Sequence, residues 1–133
     1  MAECKVGVVG VGRMGEYHVG VLSEMREAEL TGVVDSDQER AKIISEKYKT
    51  SNYRDYKELF QKVDAVVVSV PTALHYSIGK EFIEAGIHTL LEKPCTDNLG
   101  QAEELFELAA KKNVTLQIGH VERFNGAVQE LFK

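Results

Sequence analysis

The chain has 133 residues, of which 44% are hydrophobic and 28% charged, and its net charge is −5. This is enough for one domain with its own core, it is not the composition of a disordered chain, and the acidic balance argues against a dedicated nucleic-acid binder. The longest unbroken apolar run, Ala65–Val68, falls far short of the ~20 residues a membrane-spanning helix needs. Cys4 and Cys95 are too few for a disulfide scaffold and point to a reducing, cytoplasmic setting. One lysine before a glycine-broken apolar stretch does not make a secretory signal.

Lys5–Val9 reads as a strand of closely spaced valines, and Arg13–Met25 as a helix with Met14, His18, Val21, Leu22 and Met25 on one stripe. Leu30–Asp35 is a second strand. Asp37 caps a helix that turns Ala41, Ile44 and Tyr48 inward. A short strand is expected around Ser51–Tyr53, then a helix from Asp55 carrying Tyr56, Leu59 and Phe60. Asp64–Val70 is the clearest strand, because its valines lack the polar alternation of a half-exposed sheet. A helix from about Ala73 to Ala85 stacks Leu74, Ile78 and Phe82, and Ile87–Glu92 is the next strand. Asn98–Lys112 is a helix with Leu99, Ala102, Leu105, Phe106 and Ala109 facing in and Asn113 as its C-terminal cap. Val114–Gly119 is the last strand, followed by a helix bearing Phe124, Val128, Leu131 and Phe132. Strands alternating with helices give a doubly wound α/β fold with a mostly parallel sheet.

Gly10-Val11-Gly12-Arg13-Met14-Gly15 matches G-x-G-x-x-G where the pattern has physical meaning, after the first strand and at the start of the first helix. Gly10 allows the tight turn, Gly12 lets a pyrophosphate approach the backbone, and Gly15 lets the helix pack on the sheet. The helix N-terminus offers free N–H groups and a positive dipole end to the phosphates. Asp35, at the end of the second strand, stands where a carboxylate binds the adenosine ribose hydroxyls. It repels a 2′-phosphate, and neither Ser36 nor Asp37 offers a cation, which favours NAD. NADP stays possible through Arg13 or Arg40. A methyltransferase loop would have an acid where Val8 stands, and no G-x-x-x-x-G-K-[ST] loop or G-x-S-x-G elbow occurs. The four histidines and two cysteines show no metal-ligand spacing. His18 reads as a packed core histidine, and His88, at the start of a strand, as structural.

Three further segments are distinctive: Pro71-Thr72-Ala73-Leu74-His75, Gly86-Ile87-His88 leading to Glu92-Lys93-Pro94, and Gly119-His120-Val121-Glu122-Arg123-Phe124-Asn125. With the glycine loop, in this order, they resemble the N-terminal half of the glucose–fructose oxidoreductase / inositol dehydrogenase (Gfo/Idh/MocA) family. The last segment looks most like members acting on sugar nucleotides. The resemblance implies a Rossmann dinucleotide-binding domain over residues 1–120 and a connecting helix over 121–133. It also implies an NAD(P)-dependent oxidoreductase moving a hydride between nicotinamide and a sugar, sugar-nucleotide or polyol carbon. By the same resemblance Lys93 is the catalytic position, beside the nicotinamide and the substrate hydroxyl. The implied cofactor contacts are Gly10, Gly12, Arg13, Met14, Gly15, Asp35, Ser36, Val70, Pro71, Thr72, His75, Glu92 and Lys93. Partial burial of Lys93 would lower its pKa toward neutrality, and Pro94 would keep its backbone extended. His120 and Arg123 either touch substrate or form a junction. Cys95 departs from the aliphatic residue expected there and is read as a packed thiol.

Family members normally carry a second, larger domain that supplies most substrate contacts. The cofactor half is therefore expected to bind nucleotide with little turnover alone, since one half-site cannot hold substrate in line with nicotinamide. The apolar face of the final helix suggests self-association through the last strand and helix. A non-catalytic nucleotide sensor acting through self-association is the alternative, and another substrate of the same family is a third possibility.

Overall fold

Valine-rich runs alternating with amphipathic stretches can hide both faces of a sheet under helices. The computed structural model, which describes residues 4–119, does so in chain order. Its elements are β1 (Cys4–Val9), α1 (Arg13–Glu24), β2 (Ala28–Val34), α2 (Gln38–Lys47), β3 (Ser51–Tyr53), β4 (Ala65–Val68), α3 (His75–Glu84), β5 (His88–Glu92), α4 (Leu99–Lys112) and β6 (Leu116–Gly119). Short 3-10 turns precede β4 (Tyr56–Leu59) and α3 (Thr72–Leu74). All strand pairs are parallel, in the order β3-β2-β1-β4-β5-β6. The chain runs outward to β3 and then crosses back to lay β4 beside β1. Strand order reverses between β1 and β4, and open α/β sheets bind ligands outside the carboxyl ends of the strands at such a point.

Successive strand residues serve opposite layers, as a two-residue period requires. Val6, Val8, Val67 and Leu90 pack with Val19, Leu22 and Ile44 from α1 and α2. Val9, Val66, Val68 and Leu91 pack on the other face with Leu59, Ile78, Phe82 and Leu105. Each such side chain contributes about 1.5–3 kcal/mol of burial, so the strand ends that frame the switch point are fixed by both layers. Asp37 caps α2 by accepting the Arg40 N–H at 3.1 Å, and Asn98 caps α4 by accepting from Gln101 at 2.9 Å. Asn113 ends α4 in the left-handed conformation, at φ 59°.

Several expectations are corrected. The helix expected from Asp55 is one 3-10 turn, because the chain must reach β4 at Ala65 and has no length for more. The turn is held by Asp55 accepting from Lys57 N–H and Glu58 accepting from Asp55 N–H, and it docks through Phe60 edge-on to Phe82 at 5.0 Å. On α4, Leu105 and Ala109 are buried, but Leu99 and Phe106 are exposed, at 73% and 47%. Phe106 lies one residue, about 100° of helical turn, from the stripe that meets α3. Met14 and Leu74 are likewise exposed rather than inward, since α1 buries Gly15, His18, Val19 and Leu22 and α3 begins only at His75. The expected final helix, with Phe124, Val128, Leu131 and Phe132, and the site candidates His120 and Arg123 lie outside the described residues.

His88 links β5 to β6 by accepting the Thr115 N–H at Nδ1, 3.0 Å away, which requires that nitrogen to be unprotonated. Burial holds the imidazole below its ordinary value of 6.5, with Asp64 opposing. The unfolded ring therefore takes a proton more readily than the folded one, so this contribution to stability is intact above about pH 6.5 and is lost as the pH falls below it. Urea unfolding should show stability dropping between about pH 7 and about pH 5.5, and His88→Gln should flatten that slope.

Candidate functional site

The turn from β1 into α1 is defined by what it excludes. Gly10 has φ +91°, and a Cβ there would lie 2.2 Å from the Ser69 carbonyl oxygen on the neighbouring strand end. A Cβ on Gly15 would lie 1.8 Å from the Gly10 carbonyl oxygen. The first turn of α1 is thus pressed onto the loop that feeds it. Gly12 is different: its Cβ would meet only Arg40 Nη1, at 3.4 Å, so the chain itself leaves that space open. Gly12 is also the N-cap of α1 and gives no side-chain cap, so the first-turn N–H groups lack an intrahelical partner. Open space, free donors, the helix dipole and the Arg40 guanidinium fit a diphosphate.

The loop is anchored to β2 by Asp35. Its Oδ2 accepts the Val11 N–H at 2.8 Å, and its Oδ1 accepts the Asp37 N–H at 2.8 Å. A carboxylate offers about four lone-pair sites, so two remain for hydroxyl donors. Gly10 N–H donates to the Val34 carbonyl at 2.7 Å, and Ser69 N–H to Val9 at 2.8 Å, which tie the three strand ends together. Between them opens a cleft of about 680 Å³. It brings together Gly10, Gly12, Asp35, Ser36, Val70 and Pro71, with Arg40, Arg54, Tyr56 and Leu74 completing the wall. The Tyr56 hydroxyl donates to Glu81 Oε1 at 2.6 Å and is pushed up to about 12, mainly by burial and then by Glu81, so it is a neutral donor there. Arg13 lines an adjoining groove with Arg40.

The remaining expected residues stand apart from the cleft wall. Lys93 follows β5 and is exposed, and the Lys93–Pro94 bond is cis. The Glu92 carboxylate accepts a hydrogen bond from Nε2 of His18, which is fully buried on α1. His75 is 1% exposed. Its Nδ1 lies 3.0 Å from the Pro94 carbonyl oxygen and 2.9 Å from that of Cys95, and its Nε2 lies 3.0 Å from the Val70 carbonyl oxygen. Thr72 is half-buried in the turn before α3, Met14 is exposed, and Gly15 is buried behind the loop. The Cys95 thiol is pushed up by burial, which keeps it protonated and unreactive. Among the described residues no three His, Cys, Asp or Glu side chains form a group suited to a metal ion, and no helix is long and apolar enough to cross a membrane.

Arg54 and Tyr56 are wall residues that the motifs do not include, and Leu74 reaches the wall from within the Pro71–His75 segment. They follow β3 and β4, and the switch-point rule draws a site from carboxyl ends of strands on both sides of the reversal. Arg54 and Tyr56 carry no spacing signal of their own.

A parallel sheet that reverses order beside a glycine turn, with an acid closing the second strand, defines a nucleotide-binding α/β domain of the Rossmann type. The family model described as "Oxidoreductase family, NAD-binding Rossmann fold" matches residues 4–120. The chain belongs to that Gfo/Idh/MocA family and is an NAD-binding Rossmann domain. It is 32% identical over 131 residues to the UDP-N-acetylglucosamine 3-dehydrogenase of Acidithiobacillus ferrooxidans, covering 98% of this chain and 41% of the relative. It is 31% identical over 130 residues to the myo-inositol 2-dehydrogenase of Thermotoga maritima, covering 96% and 39%. The solved Acidithiobacillus enzyme superposes with a TM-score of 0.86 over 99% of this chain and 43% of its own. GenD2 of gentamicin A biosynthesis, solved in complex with NAD, superposes with a TM-score of 0.87 at 31% identity, over 90% of this chain and 35% of its own. The chain thus spans about two fifths of the length of these curated relatives.

The three glycines should separate experimentally. Gly10→Ala and Gly15→Ala strike backbone atoms and should cost about 2 kcal/mol or more of folding stability. Gly12→Ala should leave the urea midpoint near wild type and weaken NADH binding about tenfold or more, measured by cofactor fluorescence.

Proposed function

We propose that this chain is the cofactor-binding part of an oxidoreductase that moves a hydride between NAD and a secondary alcohol of a sugar, sugar nucleotide or polyol. The placement of Lys93 carries this reading. It follows β5, whose Leu91 pairs with Val68 of β4, which in turn pairs with Val9 just before the glycine turn. The lysine and the glycine turn therefore both follow carboxyl ends of strands on one side of the sheet. The similarity to a UDP-N-acetylglucosamine 3-dehydrogenase and a myo-inositol 2-dehydrogenase supports a polyhydroxylated substrate, as does Gly119-His120-Val121-Glu122-Arg123-Phe124-Asn125.

In this reading NAD, when bound, supplies the group that accepts or donates the hydride. Gly12 and the first-turn N–H groups of α1 hold the diphosphate, and Asp35 accepts from the adenosine ribose hydroxyls beside Ser36. Val70, Pro71 and Thr72 flank the nicotinamide half. The Lys93 side chain holds and moves the proton of the reacting hydroxyl, a role that suits an amine at the ligand edge of the sheet. Residues 1–120 form the cofactor domain, and 121–133 lead toward the groups that hold substrate in line. Among the described residues β6 has a strand partner on one side only, which supports self-association along that edge. The free thiols Cys4 and Cys95 support a cytoplasmic setting.

Calorimetric titration tests the cofactor assignment. NADH should bind about tenfold or more tightly than NADPH, a difference of about 1.4 kcal/mol or more, because Asp35 repels a 2′-phosphate. Asp35→Ala should erase most of that preference. Preferred binding of NADPH would overturn the cofactor ranking. Where oxidation of a UDP-sugar or polyol is measurable, Lys93→Met should lower kcat by about two orders of magnitude or more; unchanged kcat would remove Lys93 from the reaction.

A further inference from the structure

The segment that carries Lys93 is gripped from two sides by buried imidazoles. On one flank is His18, with no exposed surface, whose Nε2 bonds the carboxylate of Glu92, the residue immediately before the lysine. On the other flank is His75, whose ring lies against the carbonyl oxygens of Pro94 and Cys95, the residues immediately after it. We propose that His18 and His75 are positioning residues that clamp the backbone on either side of Lys93 and thereby set where its amine stands. The proposal rests on the reading of Lys93 as the proton-handling group.

Packing alone does not account for the pair. Removing an imidazole from water carries a cost unless its polar atoms find partners, and a leucine or methionine would fill either position without that cost. Both rings instead address the same four-residue segment, although His18 lies 74 residues from Glu92 in sequence and His75 lies 19 from Pro94. The other end of each connection is also informative. His18 sits on α1, about 7.5 Å along the axis from Arg13, on the helix whose first turn faces the diphosphate. The other ring nitrogen of His75, Nε2, lies 3.0 Å from the Val70 carbonyl oxygen, and Val70 lines the cleft. The lysine segment is thus tied to α1 on one side and to the strand end at Val70 on the other. Lys93 itself is exposed, whereas hydrogen-bonding groups of buried rings meet the residues on either side of it.

Lys93 can be observed directly in the 133-residue chain. Reductive ¹³C-methylation gives each lysine an NMR signal, and the Lys93 signal is the one that disappears in Lys93→Arg. In the wild type, titration with NADH should shift it. In His18→Leu, NADH should still bind within about threefold of wild type, while the Lys93 shift should fall by at least half; at saturating NADH the shift should fall likewise in His75→Leu. At saturating NADH, Glu92→Ala should lower the Lys93 shift as His18→Leu does, and Glu92→Gln, which keeps an acceptor oxygen for His18, should recover most of it. The two Glu92 variants keep the test available if a histidine variant does not fold, because the Glu92 side chain is partly exposed. Equal Lys93 shifts in wild type, His18→Leu and Glu92→Ala would overturn the clamp while leaving Lys93 at the nicotinamide. A wild-type Lys93 signal that ignores bound NADH would overturn the assignment of Lys93, and the clamp with it.

Discussion

The close approach of Gly15 to the Gly10 carbonyl is the constraint on which the site depends. A helix can start that near the strand feeding it only if neither position bears a side chain. With α1 seated there, its unpartnered N–H groups face the crevice between β1 and β4, and Gly12 keeps their approach open. Asp35 serves the loop: by accepting the Val11 N–H, its carboxylate sets the position of the glycine turn relative to β2. It retains lone pairs, and on the proposed function these take the ribose, so one acid would set the distance between the two parts of the dinucleotide.

The site divides into two structurally distinct regions. The cleft is walled by strand-end backbone and by side chains drawn from β1, β2, β4 and the turn after β3. The Lys93 segment lies one strand further on and is held by hydrogen bonds to buried rings rather than by its own burial. On the proposed function this division suits hydride transfer: main chain would hold the cofactor, whereas the Lys93 amine would meet a substrate arriving from elsewhere and would need accurate aim more than enclosure.

The features readable from the residues were those in which local chemistry and global fold agree. The valine runs, the glycine turn, the Asp37 and Asn98 caps and the left-handed Asn113 each declare a local geometry that the sheet then uses. Expectations failed where a neighbour distant in sequence decides the outcome. Leu99 and Phe106 sit on an apolar pattern compatible with two adjacent stripes, and the position of α3 selects the one containing Leu105 and Ala109. The turn at Tyr56 has helical capping chemistry, but the return of the chain to β4 leaves it no length. Among site residues, Gly10, Gly12 and Asp35 announce themselves because their role is local. Arg54 and Tyr56 do not, since only strand order brings them to the wall. His18 was visible as a polar residue on an apolar face, and His75 as part of the Pro71–His75 segment. That both address the Lys93 segment depends on contacts between strands and helices that no spacing encodes.

The most direct test is to record ¹H–¹⁵N spectra of the chain during titration with ADP-ribose, which has the diphosphate and both riboses but no nicotinamide. The largest shifts should fall on the backbone N–H groups of Val11 through Met14 and on those of Asp35 and Ser36, with the Thr115 N–H beside His88 unchanged. A folded chain whose glycine-turn amides remain unmoved at saturating ADP-ribose, or whose shifts cluster away from the β1–β4 crevice, would contradict the account.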